Sequence, residues 1–405
     1  MSTVKHFPVL LPKDVAMDKW AVIACDQYTT DVGYWRALDS FVKDAPSTLR
    51  LIFPEIYLSE NIDSRISSIN AAMKLYSESG IFREVNAYVL TERTLPDGRK
   101  RVGLITCVDL EEYSYVSPSG TIRPTEETIE ERLPVRIHIR ENAPLELPHI
   151  LLLMDDEKKS VIEPVYAKRQ NLEKLYDFDL NMNGGHICGY AVPYDMIPVS
   201  LFDALLSPEL QTEKYGKDAG ILFAVGDGNH SMATAKKCWE KVKTTLSEEE
   251  IKNHPARYAL VEVLNVYDDA LDFLPIHRVV SGTDENSFID GLSAVLSGEG
   301  FITVATRDGE RRLSCPIDAE KTIIAVQTYL EKMRSETGLK IEYVHEPEQV
   351  ISDVKKNGGV GIFMPHFPKN KLFDYVVNVG KLPKKAFSIG EEKTKKYYIE
   401  AKRIK

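Results

Sequence analysis

The sequence predicts a mixed-sheet α/β (α+β) protein, and three patterns carry that prediction. In the second half, apolar runs of strand length alternate with stretches of helical period, the order that builds layered α/β sheets. In the first half, two β-rich runs flank Pro96-Asp97-Gly98, which reads as a hairpin and hence an antiparallel element. The chain has 405 residues, 43% hydrophobic and 28% charged, a composition that supports one large folded unit or two ordinary ones.

The elements follow in chain order. KWAVIACDQY (19–28) reads as a buried strand ending in polar residues, and DVGYWRALDSFVKD (31–44) as a helix. Ile62, Ile66, Ile69 and Met73 recur at helical spacing, and Gly80 closes that helix. NAYVLTERTLPDGRKRVGLITCVDL (86–110) is the hairpin. RLPVRIHIR (132–140) alternates and predicts a strand with Arg136, His138 and Arg140 on one face. HILLLMDD (149–156) is a continuous apolar run bounded by acids, the pattern of a fully buried strand, and residues 161–178 hold a helix after Pro164. Further on, ARYALVEVLNV and DFLPIHRVV predict strands, DAEKTIIAVQTYLEKMRSE an amphipathic helix and GVGIFMP a strand. The tail KAFSIGEEKTKKYYIEAKRI reads as a segment whose Lys393, Lys395 and Lys396 form a solvated helix face. The chain is read as one unit, 1–405. The weakest joint is the polar stretch 247–254, which would divide it into 1–246 and 255–405.

The bulk numbers also exclude. A net charge of −10 argues against a nucleic-acid binder, which needs a basic surface. Five cysteines with no Cys-x-x-Cys pair argue against a disulfide framework or structural zinc site. No membrane span and no secretory signal are expected, so a reducing cytoplasm is the predicted location.

One stretch asks for chemistry: GILFAVGDGNHSMATAKKCWEKV, residues 220–242. A short apolar strand ends in Gly226-Asp227-Gly228-Asn229-His230-Ser231, and a helix follows, with Asn229 or Ser231 as cap. A glycine turn from strand to helix presents backbone N–H groups at the positive end of the helix, a seat for phosphate oxygens. Asp227 adds a carboxylate that could hold Mg²⁺ or accept a proton, and His230 adds a donor or acid. Asp-Gly-Asn is also ordinary turn chemistry, and the residues alone leave both readings open.

The sequence resembles a known family. ACDQYT, IRPTEETIEERLPVRIHIRENAPLELPH, AVGDGNHSMATAK, LPIHRVV and FSIGEEKTKKYY, spread over residues 24–398, are similar to the bacterial domain-of-unknown-function family 1015. GDGNHSMATAK resembles the second conserved box of the ParB/sulfiredoxin-like superfamily, so a ParB/sulfiredoxin-like core with added α/β elements is implied. The resemblance implies a kinase that moves a phosphoryl group from pyrophosphate or a nucleotide such as ATP or ADP to the hydroxyl of free L-serine, with Mg²⁺. It implies Asp26, after the first strand, as general base or substrate ligand beside Asp227 and His230. Ser231 stands where the superfamily carries arginine, so the phosphate needs another cation. The candidates, with their polar neighbours, are Arg123, Glu126, Arg132, Arg136, Arg140, His277, Arg278, Lys384, Lys385 and Ser388. Two rival readings are a nucleotide-binding switch without kinase activity and a pyrophosphate or nucleotide hydrolase.

Overall fold

The structure is a computed structural model that describes residues 2–59, 61–117 and 119–405. The chain forms two compact units. Unit 1 takes the residues up to Leu271, Phe373–Gly380 and Glu392–Lys405; unit 2 takes Asp272–Leu372 and Lys381–Glu391. The division thus falls after Leu271 rather than within 247–254, because the strand that follows that stretch lies inside the sheet of unit 1.

That sheet has nine strands: β1 (Val4–Lys5), β2 (Tyr88–Thr94), β3 (Lys100–Asp109), β4 (Ile122–Pro124), β5 (Ile150–Met154), β6 (Glu173–Asp179), β7 (His186–Val192), β8 (Phe223–Asp227) and β9 (Tyr258–Asn265). Their order is β6-β7-β2-β3-β9-β5-β8-β4, with β1 paired to β3. Most pairs are antiparallel, while β9 with β5 and β8 with β4 are parallel, so the sheet is mixed.

Both faces of the sheet are covered. One carries Leu90, Leu104, Leu152 and Val261 under Met232, Ala235 and Trp239 of helix α3 (Asn229–Lys243). The other carries Val89, Ile105 and Leu260 under Trp35, Leu38 and Val42 of helix α1 (Val32–Val42). Successive strand residues point to opposite faces, so a doubly covered strand is apolar throughout, and all of β5 is buried. Burying one such leucine contributes about 1.5–3 kcal/mol.

Three sequence expectations change. Residues 132–140 form no strand: after a 3₁₀ turn (Glu130–Arg132) they form helix α2 (Leu133–Glu141). Pro134 sits in the first turn, where its missing N–H costs nothing. Leu133 and Ile137, four apart, meet the core of α3's face, while Arg136 pairs with Glu55 and Arg140 with Glu146. Second, the helix after Pro164 is only Glu163–Tyr166; residues 173–192 then form the β6–β7 hairpin, turning at Gly184-Gly185. Gly185 has φ +88, and a Cβ there would stand 2.2 Å from the Thr94 carbonyl oxygen. Third, Lys395 and Lys396 are no solvated helix face. Both are buried, next to Tyr397–Tyr398, which pairs with Val22–Ile23.

Unit 2 is a five-stranded antiparallel sheet, ordered Gly309–Cys315, Gly300–Thr306, Val360–Phe363, His277–Ser281, Lys340–Val344, with the expected long helix Ala319–Thr337. Its two chain ends are tied together: Phe273 pairs with Ile389, and Gly390 N–H donates to Asp272 O at 3.0 Å. Among the described residues, no helix is long and apolar enough to cross a membrane.

Candidate active site

The turn from β8 into α3 begins the site. Gly228 is the N-cap of α3 in the left-handed region (φ +81), and no side chain caps the helix. The expected caps, Asn229 and Ser231, lie instead inside its first turn. Because β5 runs antiparallel to β8, the start of β5 lies beside this turn. A Cβ on Gly228 would stand 3.1 Å from His149 Cδ2 and 3.1 Å from Ile150 Cα, so a side chain there would be crowded as well as strained by the left-handed backbone. Asn229 is buried. Its Nδ2 donates to Thr125 Oγ1 at 3.4 Å, Thr125 Oγ1 donates to Val225 O at 2.6 Å, and Asn229 Oδ1 has no protein partner. His230 Nε2 accepts from Ile129 N–H at 3.2 Å, which holds the 125–132 loop over the start of α3.

Five side chains converge from the other direction. His149 Nε2 lies 3.2 Å from Asp26 Oδ2, and His149 Nδ1 lies 2.5 Å from the Tyr398 hydroxyl. Gln27 Nε2 donates to Asp26 Oδ1 at 2.7 Å, and Tyr398 donates to Cys25 Sγ at 3.3 Å. Burial opposes ionising Asp26, but the charge and hydrogen bond of His149, with Gln27 and Lys395, hold its carboxyl well below the usual range. Burial likewise opposes the His149 cation, yet the Tyr398 oxygen and Asp26 raise its pKa well above the ordinary value. At neutral pH the two are an ion pair. Burial, with Cys25 next to it, raises the Tyr398 phenol so that it stays protonated.

The cation beside Asp227 is Lys395. Its Nζ donates to Asp227 Oδ2 at 3.1 Å, while Asp227 Oδ1 accepts from Gly228 N–H at 2.8 Å. Buried arginines fix the backbone that carries it. Arg93 donates to the carbonyls of Lys395, Lys393 and Gly184 and stacks 4.9 Å from the Tyr397 ring; Arg101 donates to Thr394 O at 3.1 Å. Burial and the neighbouring Arg101 push the Arg93 pKa down to about 9. Lys396 turns the other way, onto Glu262 at 3.0 Å and Glu400 at 3.4 Å.

The structure therefore brings together Asp26, Gly226, Asp227, Gly228, Asn229, His230 and Ser231, with Glu126 in the loop next to His230. The predicted arginines divide. Arg136 binds Glu55, whose N–H donates to Cys25 O at 2.8 Å, so it supports the Asp26 turn from behind. Arg123 donates to Ala219 O and Gly120 O, and Arg132 is exposed in the 3₁₀ turn. His277, Arg278, Lys384 and Ser388 lie in unit 2 and are engaged there. His277 Nδ1 accepts from Met364 N–H, and burial, with Arg278, pushes its pKa down to about 4. Arg278 is fully buried on Ile276 O, Gln327 and Lys385 O; Lys384 pairs with Glu331 at 2.7 Å; Ser388 Oγ donates to Gly390 O.

Residues 9–350 match a protein family described as "Protein of unknown function (DUF1015)". The chain belongs to the DUF1015 family. No curated protein matches it. Among solved structures it is similar to a free serine kinase mutant in complex with AMP, at 10% identity and TM-score 0.42, covering 74% of this chain and 92% of the other. It is also similar to a conserved hypothetical protein from Pyrococcus furiosus (12%, TM-score 0.36, 73% and 90% covered). A third is SbnI with a C-terminal truncation from Staphylococcus aureus (11%, TM-score 0.37, 71% and 82% covered).

Within this DUF1015 chain, the residues that sequence reasoning missed are His149, Lys395 and Tyr398. For Tyr398 the usable signal was the two adjacent tyrosines and the isoleucine that follow the lysines; that every residue of Thr394–Lys402 is buried shows only in the structure. His149 gave no local signal; it sits at the mouth of a strand whose partner lies some 75 residues on, Leu151 facing Asp227.

Proposed function

We propose that this protein is a small-molecule kinase that transfers a phosphoryl group from pyrophosphate or a nucleotide to the hydroxyl of free L-serine. The observation that carries the reading is Lys395 on Asp227 at the uncapped N-terminus of α3, facing the Asp26–His149 pair. Phosphoryl transfer needs oxygens held, charge neutralised, and a hydroxyl aligned with its proton accepted. The first N–H groups of α3 and the helix dipole hold donor oxygens. Lys395 supplies the charge that Ser231 cannot. Asp26, kept ionised by His149, accepts the serine hydroxyl proton as that oxygen bonds to the terminal phosphorus. The bond from phosphorus to the bridging oxygen breaks, and phosphate or the shortened nucleotide leaves. The carboxylate oxygens of Asp227 and Asp26 are the donor type Mg²⁺ takes, and the ion would neutralise charge on the donor phosphates.

The test is direct. The protein is incubated with L-serine, Mg²⁺ and ATP, ADP or pyrophosphate, and O-phosphoserine is sought by mass spectrometry. The expected result is phosphoserine, with pyrophosphate at least as good a donor as ATP. A folded sample that gives none with any donor overturns the kinase reading, and phosphate release without serine replaces it with hydrolysis. Consumption of ATP or ADP with pyrophosphate ignored overturns only the donor.

A further inference from the structure

The β6–β7 hairpin carries a second cluster that the proposed kinase chemistry does not use. Its register places Asp177 opposite Cys188 and Asp179 opposite His186. Residues two apart share a face, so all four side chains stand on one side of the ladder. His186 Nε2 lies 2.7 Å from Asp177 Oδ1, Cys188 Sγ lies 3.2 Å from the same oxygen, and Cys188 Sγ lies 3.5 Å from His186 Nε2. Among the described residues this is the one group of three such side chains whose donor atoms all lie within 4.8 Å of one another.

We propose that Asp177, His186 and Cys188 form a zinc site. Zinc is bound tetrahedrally with Zn–S about 2.3 Å and Zn–N or Zn–O about 2.0–2.1 Å, which separates neighbouring donors by about 3.3–3.6 Å. The sulfur–nitrogen separation already matches. The sulfur–oxygen pair must open by about 0.3 Å and the nitrogen–oxygen pair by about 0.6 Å, the latter when the metal replaces the proton the two share. One thiolate, one imidazole and one carboxylate are a borderline-soft set that favours Zn²⁺ over Mg²⁺ or Ca²⁺. The outer shell is present as well. His186 Nδ1 lies 2.7 Å from Asp179 Oδ1, the carboxylate–histidine arrangement that fixes which ring nitrogen faces a metal. Lys174 holds the second oxygen of Asp177 and leaves Oδ1 for the ion. Asp177 and His186 keep over a third of their side-chain surface in solvent, so water completes the fourth position. On binding, the Cys188 proton and the proton between Nε2 and Oδ1 pass to solvent. Because β6 is the outermost strand, the ion would pin the sheet edge to β7.

Cobalt(II) is the probe, added to the full-length, chelator-treated chain. One Co²⁺ per chain is expected, with a thiolate-to-cobalt charge-transfer band and the strong visible bands of tetrahedral cobalt, all bleached by Zn²⁺. Cys188→Ser abolishes the charge-transfer band, and Asp179→Asn keeps it while weakening binding about tenfold. His186→Ala, at a position over a third exposed, weakens binding at least a hundredfold. No charge-transfer band in the unmodified protein, a band that survives Cys188→Ser, or unchanged affinity in His186→Ala would each overturn the site.

Discussion

Replacing Lys395 by methionine keeps the apolar stem and removes the ammonium. The partner it leaves, Asp227, has a 26% exposed side chain against 9% for Lys395. Breaking a fully buried pair costs about 3–5 kcal/mol, and losing a hydrogen bond to a charged group about 1.5–3 kcal/mol. Water reaches Asp227, so the lower range applies, and Lys395→Met is expected to cost about 2 kcal/mol. Asp227→Asn should cost less, since Lys395 still lies close enough to Asp26 to act on it. The double variant should be milder than the sum of the two by about 1–2 kcal/mol, the coupling typical of residues in direct contact. Urea unfolding followed by tryptophan fluorescence reads this cleanly. All three tryptophans, Trp20, Trp35 and Trp239, belong to unit 1, so unit 2 does not contaminate the signal. Single costs that add within about 0.5 kcal/mol would show that the two side chains do not interact, and the charge assignment would fall.

Gly228→Ala should cost about 1–2 kcal/mol for the left-handed backbone alone, and more for the 3.1 Å approach to His149 and Ile150; a urea midpoint equal to wild type would contradict the geometry. Asp227→Asn and His230→Ala should each lower phosphoserine formation about a hundredfold with the fold retained, measured as initial rates. The Asp26–His149 pair should also shape stability against pH. Asp26 is depressed, so its share is present above the ordinary 3.8 and lost as pH falls through the lower folded value. His149 is raised, so its share is complete below 6.5 and lost as pH rises through its folded value. Unit 1 should therefore be most stable between these limits and weaken on the alkaline side, and Asp26→Asn should shrink that alkaline loss in urea midpoints taken across pH.

Much of the architecture was legible because burial writes itself into composition. HILLLMDD had to be a doubly covered strand, and the 3.6-residue recurrence in 62–73 and 319–337 had to be helical. VRIHIR defeated the same logic: over six residues an alternating pattern fits a strand, and what decides for helix is Pro134 and the carboxylates that Arg136 and Arg140 reach. The turn at Gly226–Ser231 was legible, as strand end and helix start. The lysine partner was not. A lysine is read as solvated unless a distant carboxylate claims it, and Asp227, Glu262 and Glu146 claim Lys395, Lys396 and Lys402 from far along the chain. Unit 2's His277 and Arg278 looked like a strand-end site but are a neutral imidazole and a buried guanidinium held by backbone carbonyls and a glutamine.

The paired ends of unit 2 bear on how unit 1 assembles. Asp26, His149 and Asp227 precede the 272–391 stretch, whereas Lys395 and Tyr398 follow it, so completing the site means closing a loop of about 120 residues. Left as free coil, such a loop opposes closure by about 4 kcal/mol. Once Phe273 pairs with Ile389 and Gly390 bonds Asp272, the effective loop shrinks to a few residues and that entropy has already been spent inside unit 2. Unit 2 then acts as a noncovalent staple, returning residues 392–405 to unit 1 in a chain whose five cysteines are all free.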